Sequence, residues 1–426
     1  MLTEEEKQYA LKKYVEFLQH PSISATGEGI RDTASWLREF MEELGIKATI
    51  EETGGHPVVY GEVDNGGDRT LLVYNHYDVQ PVDPLNEWKY PPFSATIENG
   101  YVYARGASDN KGVLIARLIA FSKYKGGLNF KFLFEGEEEI GSVNLQNYVE
   151  RKRPNADAVL MEGGGLDTKG RPTVVLGVKG LLYVQLTVRT ASRDVHSSNA
   201  PIVYNPAWEL IKVLNDIYDG ERVKLKGFYE DVEPLSDEVK ELLDKLDIDV
   251  EELGKSLGVY KLKGDIKALY TEPTCNIDGI YSGYIGKGSK TIVPSYAFAK
   301  VDFRLVPKQD PKKVLSSLLE VVKDRAEVEV LGMEKPVRTS PKAKVVRAAV
   351  NSAKRVYSVD PVIIPNSAGT QPMGVFYDLG IKEIVSAIGV GRPSSNAHAP
   401  NENVRLEDFY RAIEHAYEFY KEYASL

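Results

Sequence analysis

At 426 residues the chain is long for one hydrophobic core, and two domains are expected. A net charge of −9 leaves no electrostatic footprint for nucleic acid or an anionic membrane, and no apolar run is long enough to span a bilayer. A single cysteine, Cys275, excludes an internal disulfide framework and a multi-thiolate metal site; it fits a reducing cytoplasm and leaves any metal to nitrogen and oxygen ligands.

The N-terminal stretch "MLTEEEKQYALKKYVEF" predicts an amphipathic helix capped by Thr3, with Glu6 in the capping-box position, and does not read as a signal peptide. "TLLVYNHYDV" is a buried-type strand predicted to end at Asp78, and "NKGVLIARLIAFSKY" carries apolar residues at helical spacing. "KFLF" and "ADAVLME" are further strands, the second ending at Glu162. Strands separated by helices predict an α/β fold, a mostly parallel sheet with helices on both faces. Functional groups then belong in loops at the carboxyl ends of the strands.

Around residue 180 the pattern changes. "LLYVQLTVRT" is a strand and "PAWELIKVLNDIYD" a helix; two strands, "CNIDGIYSG" and "AFAKVDFRLV", follow later. Asp310-Pro311 opens another helix, and "AEVEVLG" is a last strand. The order βα then ββαβ is that of a ferredoxin-like α+β unit. Between its halves runs a charged, helical excursion from about Glu221 to Lys267 with no chemical signature. From Ser340-Pro341, a cap signal, αβ character returns, with "KEIVSAIGV" as a strand and "LEDFYRAIEHAYEFYKEYA" as a closing amphipathic helix. The expected organisation is one α/β domain, residues 1–179 and 336–426, interrupted by a second, residues 180–335.

Six histidines are present. His20, ending the first helix, and His415, in the last, read as surface or cap residues; His56 is a turn residue. His76 differs, because in "NHYDV" it stands two residues before Asp78 near a strand end. Residues i and i+2 of an extended chain point the same way, so Asp78 is placed to fix the imidazole tautomer. Asp109, in "RGASDNKG", is a carboxylate at a glycine-flanked turn opening a helix, where it either caps or bridges cations. "FEGEEEIGS" places Glu135, Glu137, Glu138 and Glu139 within five positions. Their mutual repulsion is relieved if divalent cations lie nearby, and a glutamate left unligated there can act as base toward water. Glu162 in "LMEGGG" and His398 in "SSNAHAPNE" complete five metal-type side chains, all just beyond strands of one domain.

In this order, "HYDVQP", "GASDNKG", "EGEEEIGS" and "NAHAPNE" resemble the dinuclear metallopeptidases that include carnosinase, cytosolic dipeptidases, carboxypeptidase G, acetylornithine deacetylase and succinyl-diaminopimelate desuccinylase. "HYDVQP" followed by a tryptophan and "PPF" is most similar to the carnosinase and cytosolic dipeptidase branch. The resemblance implies a zinc-exopeptidase-like catalytic domain and an inserted dimerisation (lid) domain. It implies one divalent cation on His76, Asp109 and Glu162, and another on Asp109, Glu139 and His398. Zinc is expected, and manganese or cobalt suits the same ligands. The family's Glu-Glu-x-Gly-Ser register, read here against Gly141-Ser142, makes Glu138 the catalytic base and Glu139 a ligand, and leaves Glu135 and Glu137 as surplus charge. His196, in "RDVHSSNAP", is implied to enter the site of a partner subunit and bond the scissile carbonyl oxygen, which requires a homodimer. Arg304 is implied to clamp a substrate carboxylate, helped by Gly369 and Thr370 of "NSAGTQP". The implied reaction is hydrolysis of a dipeptide or of the C-terminal bond of a short peptide. An N-acyl amino acid deacylase on the same site and a metal-binding protein without turnover are the alternatives.

Overall fold

The computed structural model describes residues 1–246 and 248–426. Its larger sheet has eight strands in the order Lys47–Glu51, Val58–Val63, Asn129–Glu135, Thr70–His76, Ala158–Met161, Glu383–Ser386, Thr173–Val175, Val362–Ile364. The four strands from Asn129–Glu135 to Glu383–Ser386 run parallel, and antiparallel partners flank them on both sides. Leu71 and Val73 face one core with Phe130, Phe132 and Leu160; Leu72 and Tyr74 face another with Leu133, Val159 and Met161. Burial on both faces explains why "TLLVY" shows no polar alternation. The first core is closed by helices Glu4–Leu18, Ile30–Glu43, Gly112–Lys123, Lys344–Tyr357 and Leu406–Ser425, the second by Leu145–Lys152 and Met373–Asp378. Each fully buried Leu or Phe in these layers stabilises by about 1.5–3 kcal/mol, which holds the strand ends rigid.

A second sheet of four antiparallel strands has the order Thr274–Ser282, Tyr296–Leu305, Gly180–Arg189, Glu327–Glu334. Helices Pro206–Ile217 and Pro311–Val322 cover one of its faces through Leu210, Val213, Ile217, Val314, Leu318 and Val322. This is the ferredoxin-like arrangement expected from the element order. The caps are as predicted at two helices. Thr3 and Glu6 form a reciprocal capping box, and Asp310 accepts the N–H of Lys312 at 2.9 Å.

Elsewhere the structure corrects the sequence reading. The His76 strand stops at His76, so Asp78 lies in the following loop. Ser340-Pro341 makes a turn, and its helix starts only at Lys344, after Ala343, with Glu383 in place of a serine cap accepting the Val345 N–H at 3.0 Å. The excursion from Glu221 to Lys267 is helical over Asp237–Asp244 and Val250–Ser256 and otherwise turn and irregular chain; Asp247 within it lies outside the described residues. It docks on the larger domain, with Leu242 against the first core and Lys342 2.5 Å from Glu238. His415 is not a surface residue. It is fully buried in the last helix, edge-on to Tyr357, and burial pushes its imidazole down to about 4.

Candidate metal centre

His76 is the last residue of its strand and stands opposite Glu135 in the sheet. Glu162 follows the next strand, Ala158–Met161, directly. Chain topology therefore brings the acidic turn and Glu162 to either side of one imidazole. Asp109 arrives from the loop ahead of the helix Gly112–Lys123, and His398 from the loop after Glu383–Ser386.

The five candidate ligands converge. His76 Nε2 lies 3.1 Å from Asp109 Oδ1 and 3.1 Å from Glu162 Oε2. His398 Nε2 lies 2.9 Å from Asp109 Oδ2 and 3.2 Å from Glu139 Oε2. Each oxygen of Asp109 thus faces a different imidazole, and each imidazole a second carboxylate. One ring N–H cannot satisfy two carboxylates, and Glu139 Oε1 and Glu162 Oε2 are buried without a hydrogen bond. Ligands held about 2.0–2.2 Å from a tetrahedral cation stand about 3.3 Å apart, close to these separations. The residues fit a pair of cations better than they fit one another as hydrogen-bonding partners. Two triplets have donor atoms mutually within 4.8 Å: His76, Asp109 and Glu139, and His76, Glu138 and Glu162.

The potential is strongly negative. Burial alone would lower the pKa of His76, but Glu162, Asp109 and Asp78 outweigh it and hold the imidazole well above its ordinary range. Hydrogen bonds donated by the ring to Asp109 and then to Glu139 push His398 up to about 10. Burial, then Glu162, drives Glu138 well above the usual carboxylate range.

The acidic run divides its labour. Glu135 is buried and takes hydrogen bonds from Tyr74 Oη and from Ser142 Oγ at 2.8 Å; burial pushes it up to about 8. Glu137 accepts from the His56 N–H at 3.0 Å and from Asn144 Nδ2 at 2.9 Å. These two shape the turn. A Cβ at Gly136 would come within 2.5 Å of Oη of the buried Tyr77, so any larger residue here must displace that ring. Asp78 accepts the N–H groups of Glu138 and Glu139 at 3.2 and 3.0 Å. Its carboxylate is 3.4 Å from His76 Nδ1, whose nearer partner at 3.0 Å is the Asp78 carbonyl oxygen. Asp78 therefore pins the turn at least as firmly as it orients the imidazole.

A cleft of about 460 Å³ opens on this cluster, lined by Asp109, Glu138, Glu162, His398, Thr370 and Gln371 among others. Arg304, on the second sheet, donates to Thr370 Oγ1 at 2.8 Å and lies 3.3 Å from Asp302. The Gly369 N–H is taken by Ser367 Oγ at 3.1 Å. His196 is not in this cleft; it is exposed on a short ribbon, bonded to Ser198.

Several residues at the site carried no assignment in the sequence reading. Gln80 donates to Glu139 Oε2 at 2.8 Å. Arg117 is fully buried and donates to the carbonyls of Tyr74, Leu160, Met161 and Ala387, tying together the strand ends that carry His76 and Glu162. A lone arginine within "VLIARLIAF" was the available signal. Lys111 points away, to the carbonyls of Phe17 and His20.

A model of peptidase family M20/M25/M40 matches residues 72–422. The chain belongs to this family. It is therefore a metal-dependent peptidase, and its two-part α/β and ferredoxin-like architecture is the one its structural neighbours share. Among M20 relatives, the Beta-Ala-His dipeptidase of Rattus norvegicus is 27% identical over 397 residues, 87% of this chain and 80% of its own. The Cys-Gly metallodipeptidase dug1 of Schizosaccharomyces pombe is 27% identical over 435 residues, 92% of this chain and 91% of its own. An M20 family metallo-carboxypeptidase, Sso-CP2 of Sulfolobus solfataricus, superposes with a TM-score of 0.93 at 56% identity, covering 100% of both chains.

Proposed function

We propose that this chain is a two-cation exopeptidase that hydrolyses dipeptides or removes the C-terminal residue of short peptides. The carrying observation is Asp109, whose two oxygens face His76 and His398 at 3.1 and 2.9 Å. His76, Asp109 and Glu162 would hold one cation, and Asp109, Glu139 and His398 the other. Zinc suits these ligands, with manganese or cobalt as substitutes. When bound, such cations would polarise the carbonyl and lower the pKa of the attacking water. Glu138, the carboxylate left over, takes the proton from the attacking water and returns it to the leaving nitrogen. Arg304, with Thr370 and the Gly369 N–H once it leaves Ser367 Oγ, holds the free carboxylate of the substrate.

His196 reaches the cleft of a second copy and donates a hydrogen bond to the scissile carbonyl oxygen. Residues 180–335 then form the dimerising unit, inserted between residues 1–179 and 336–426. Support comes from the exposed edge strand Thr274–Ser282, with Ile277 and Ile280 uncovered, and from the exposed Ile202, Tyr204 and Trp208. Among the described residues no helix is long and apolar enough to cross a membrane. The single unpaired cysteine supports a cytoplasmic location.

The test is metal analysis of the purified protein together with hydrolysis assays on dipeptides, tripeptides and N-acyl amino acids. About two cations per chain and cleavage of dipeptides are expected; turnover confined to N-acyl amino acids would make it a deacylase instead.

A further inference from the structure

Two charged side chains behind the cleft take no part in the chemistry above, Arg105 and Glu402, both essentially without solvent exposure. Glu402 Oε1 accepts the N–H groups of Ser108 and Asp109 at 2.8 and 2.9 Å. Its Oε2 accepts the Gly106 N–H at 2.9 Å and Arg105 Nη1 at 3.0 Å. Four donors occupy the two oxygens, and three of them are backbone groups of the loop that ends in the bridging carboxylate. Arg105 extends the connection. It donates to the Ala399 carbonyl at 3.3 Å and the Pro81 carbonyl at 3.0 Å, with its guanidinium 5.2 Å from the Trp88 ring. Ala399 adjoins His398, and Pro81 adjoins Gln80, which holds Glu139.

One ion pair therefore joins the loops that present Asp109 and His398 to the segment that steadies Glu139. Buried ion pairs are costly to desolvate, and apolar replacements of similar volume often fold as well or better. Holding a fold together is thus a weak reason for this pair. Holding the N–H of Asp109 at a fixed place is a stronger one, because the carboxylate must point one oxygen at each imidazole.

We propose that Glu402, backed by Arg105, is a positioning residue that sets the Asp109 carboxylate between His76 and His398 and thereby sets the affinity for the cation pair. The proposal rests on the two-cation reading of the site. It makes a chemical demand that only a carboxylate meets. Glutamine has the same shape, yet whichever way its amide is turned, the NH₂ faces two donors in place of an acceptor.

Cation titration of the chelator-stripped full-length protein with Zn²⁺, followed by calorimetry, reads the effect without activity. Wild type is expected to take two equivalents, and Glu402→Gln to bind at least one of them tenfold or more weakly. Arg105→Lys keeps the charge opposite Glu402 but loses the fork to Ala399 and Pro81, so it is expected to weaken binding to a smaller extent; it carries the same test if Glu402→Gln does not fold. Val346→Ala, a core truncation in the helix Lys344–Tyr357, supplies a loss of thermal stability away from the site and is expected to leave affinity within about twofold. Variants at 402 and 105 that titrate like wild type, or an equal loss in Val346→Ala, overturn the positioning role while leaving the two-cation reading intact. Fewer than two equivalents on wild type overturn that reading itself.

Discussion

Glu138 and Glu139 are chain neighbours whose backbones are held by the same carboxylate, that of Asp78, yet their side chains go to different places. Glu139 reaches 3.2 Å from His398 Nε2, while Glu138 joins His76 and Glu162. Replacing Glu138 with glutamine keeps volume and removes only the proton acceptor. Glu138→Gln is expected to retain two cations per chain and lose about 10²–10⁴-fold in kcat; undiminished turnover would remove it as the base. Arg304→Lys gives up the forked donor and is expected to raise KM about tenfold for peptides with a free C-terminal carboxylate, with little effect on C-terminally amidated ones. Equal effects on both substrates would mean that Arg304 does not bind the carboxylate. The side chains of the proposed cation site are chemically conspicuous and stand out in the sequence beside glycine or turn residues. Their supports do not. Arg117 and Glu402 act on backbone atoms far along the chain, 43 to 270 residues away for Arg117 and 293 for Glu402 at Asp109, and nothing local in the sequence reveals such partners.

Among the elements, central strands were legible because both faces are buried and the run is apolar throughout. The edge strand Lys47–Glu51 was not legible, since a half-exposed edge mixes polar and apolar residues; its inner neighbour Val58–Val63, buried over its first four residues, is a short run broken by Gly61. The last helix shows the same limit: its apolar stripe was evident, but "EHAYE" gave no sign that His415 is covered by the helix Lys344–Tyr357. That burial has a consequence for stability. An unfolded histidine titrates near 6.5 and the folded one only near about 4, so between those values the unfolded chain binds the extra proton. The stabilisation is complete above the unfolded value and is lost as pH falls toward the folded one. At 1.36 kcal/mol per unit the loss between pH 7.5 and 5 is about 2 kcal/mol. Urea unfolding of wild type should therefore weaken by about that much more than His415→Gln over this range; parallel pH profiles would show that folding does not lower the pKa of this imidazole.

At the level of the whole molecule, the order of strands and helices was enough to anticipate the ferredoxin-like sheet, because its topology follows almost directly from βα, ββαβ succession. The docking of residues 237–246 on the larger domain was not, since a short polar helix carries little periodic signal. The exposed Ile277 and Ile280 on an uncapped edge strand, and the exposed Trp208 in the same unit, predict that two chains associate through this unit. Light scattering should give about twice the chain mass of 47.4 kDa, and Ile280→Asp should yield monomers. If His196 works across the interface, those monomers lose turnover while keeping their cations, and mixing His196→Ala with Glu138→Gln chains restores part of it through mixed dimers. A fully active monomer would refute the shared site.

Anomalous diffraction from crystals grown with Zn²⁺ bears most directly on the chemistry. Two peaks are expected, one among His76, Asp109 and Glu162 and one among Asp109, Glu139 and His398, with Asp109 touching both. A single peak, or peaks that leave Asp109 unligated, would contradict the two-cation site.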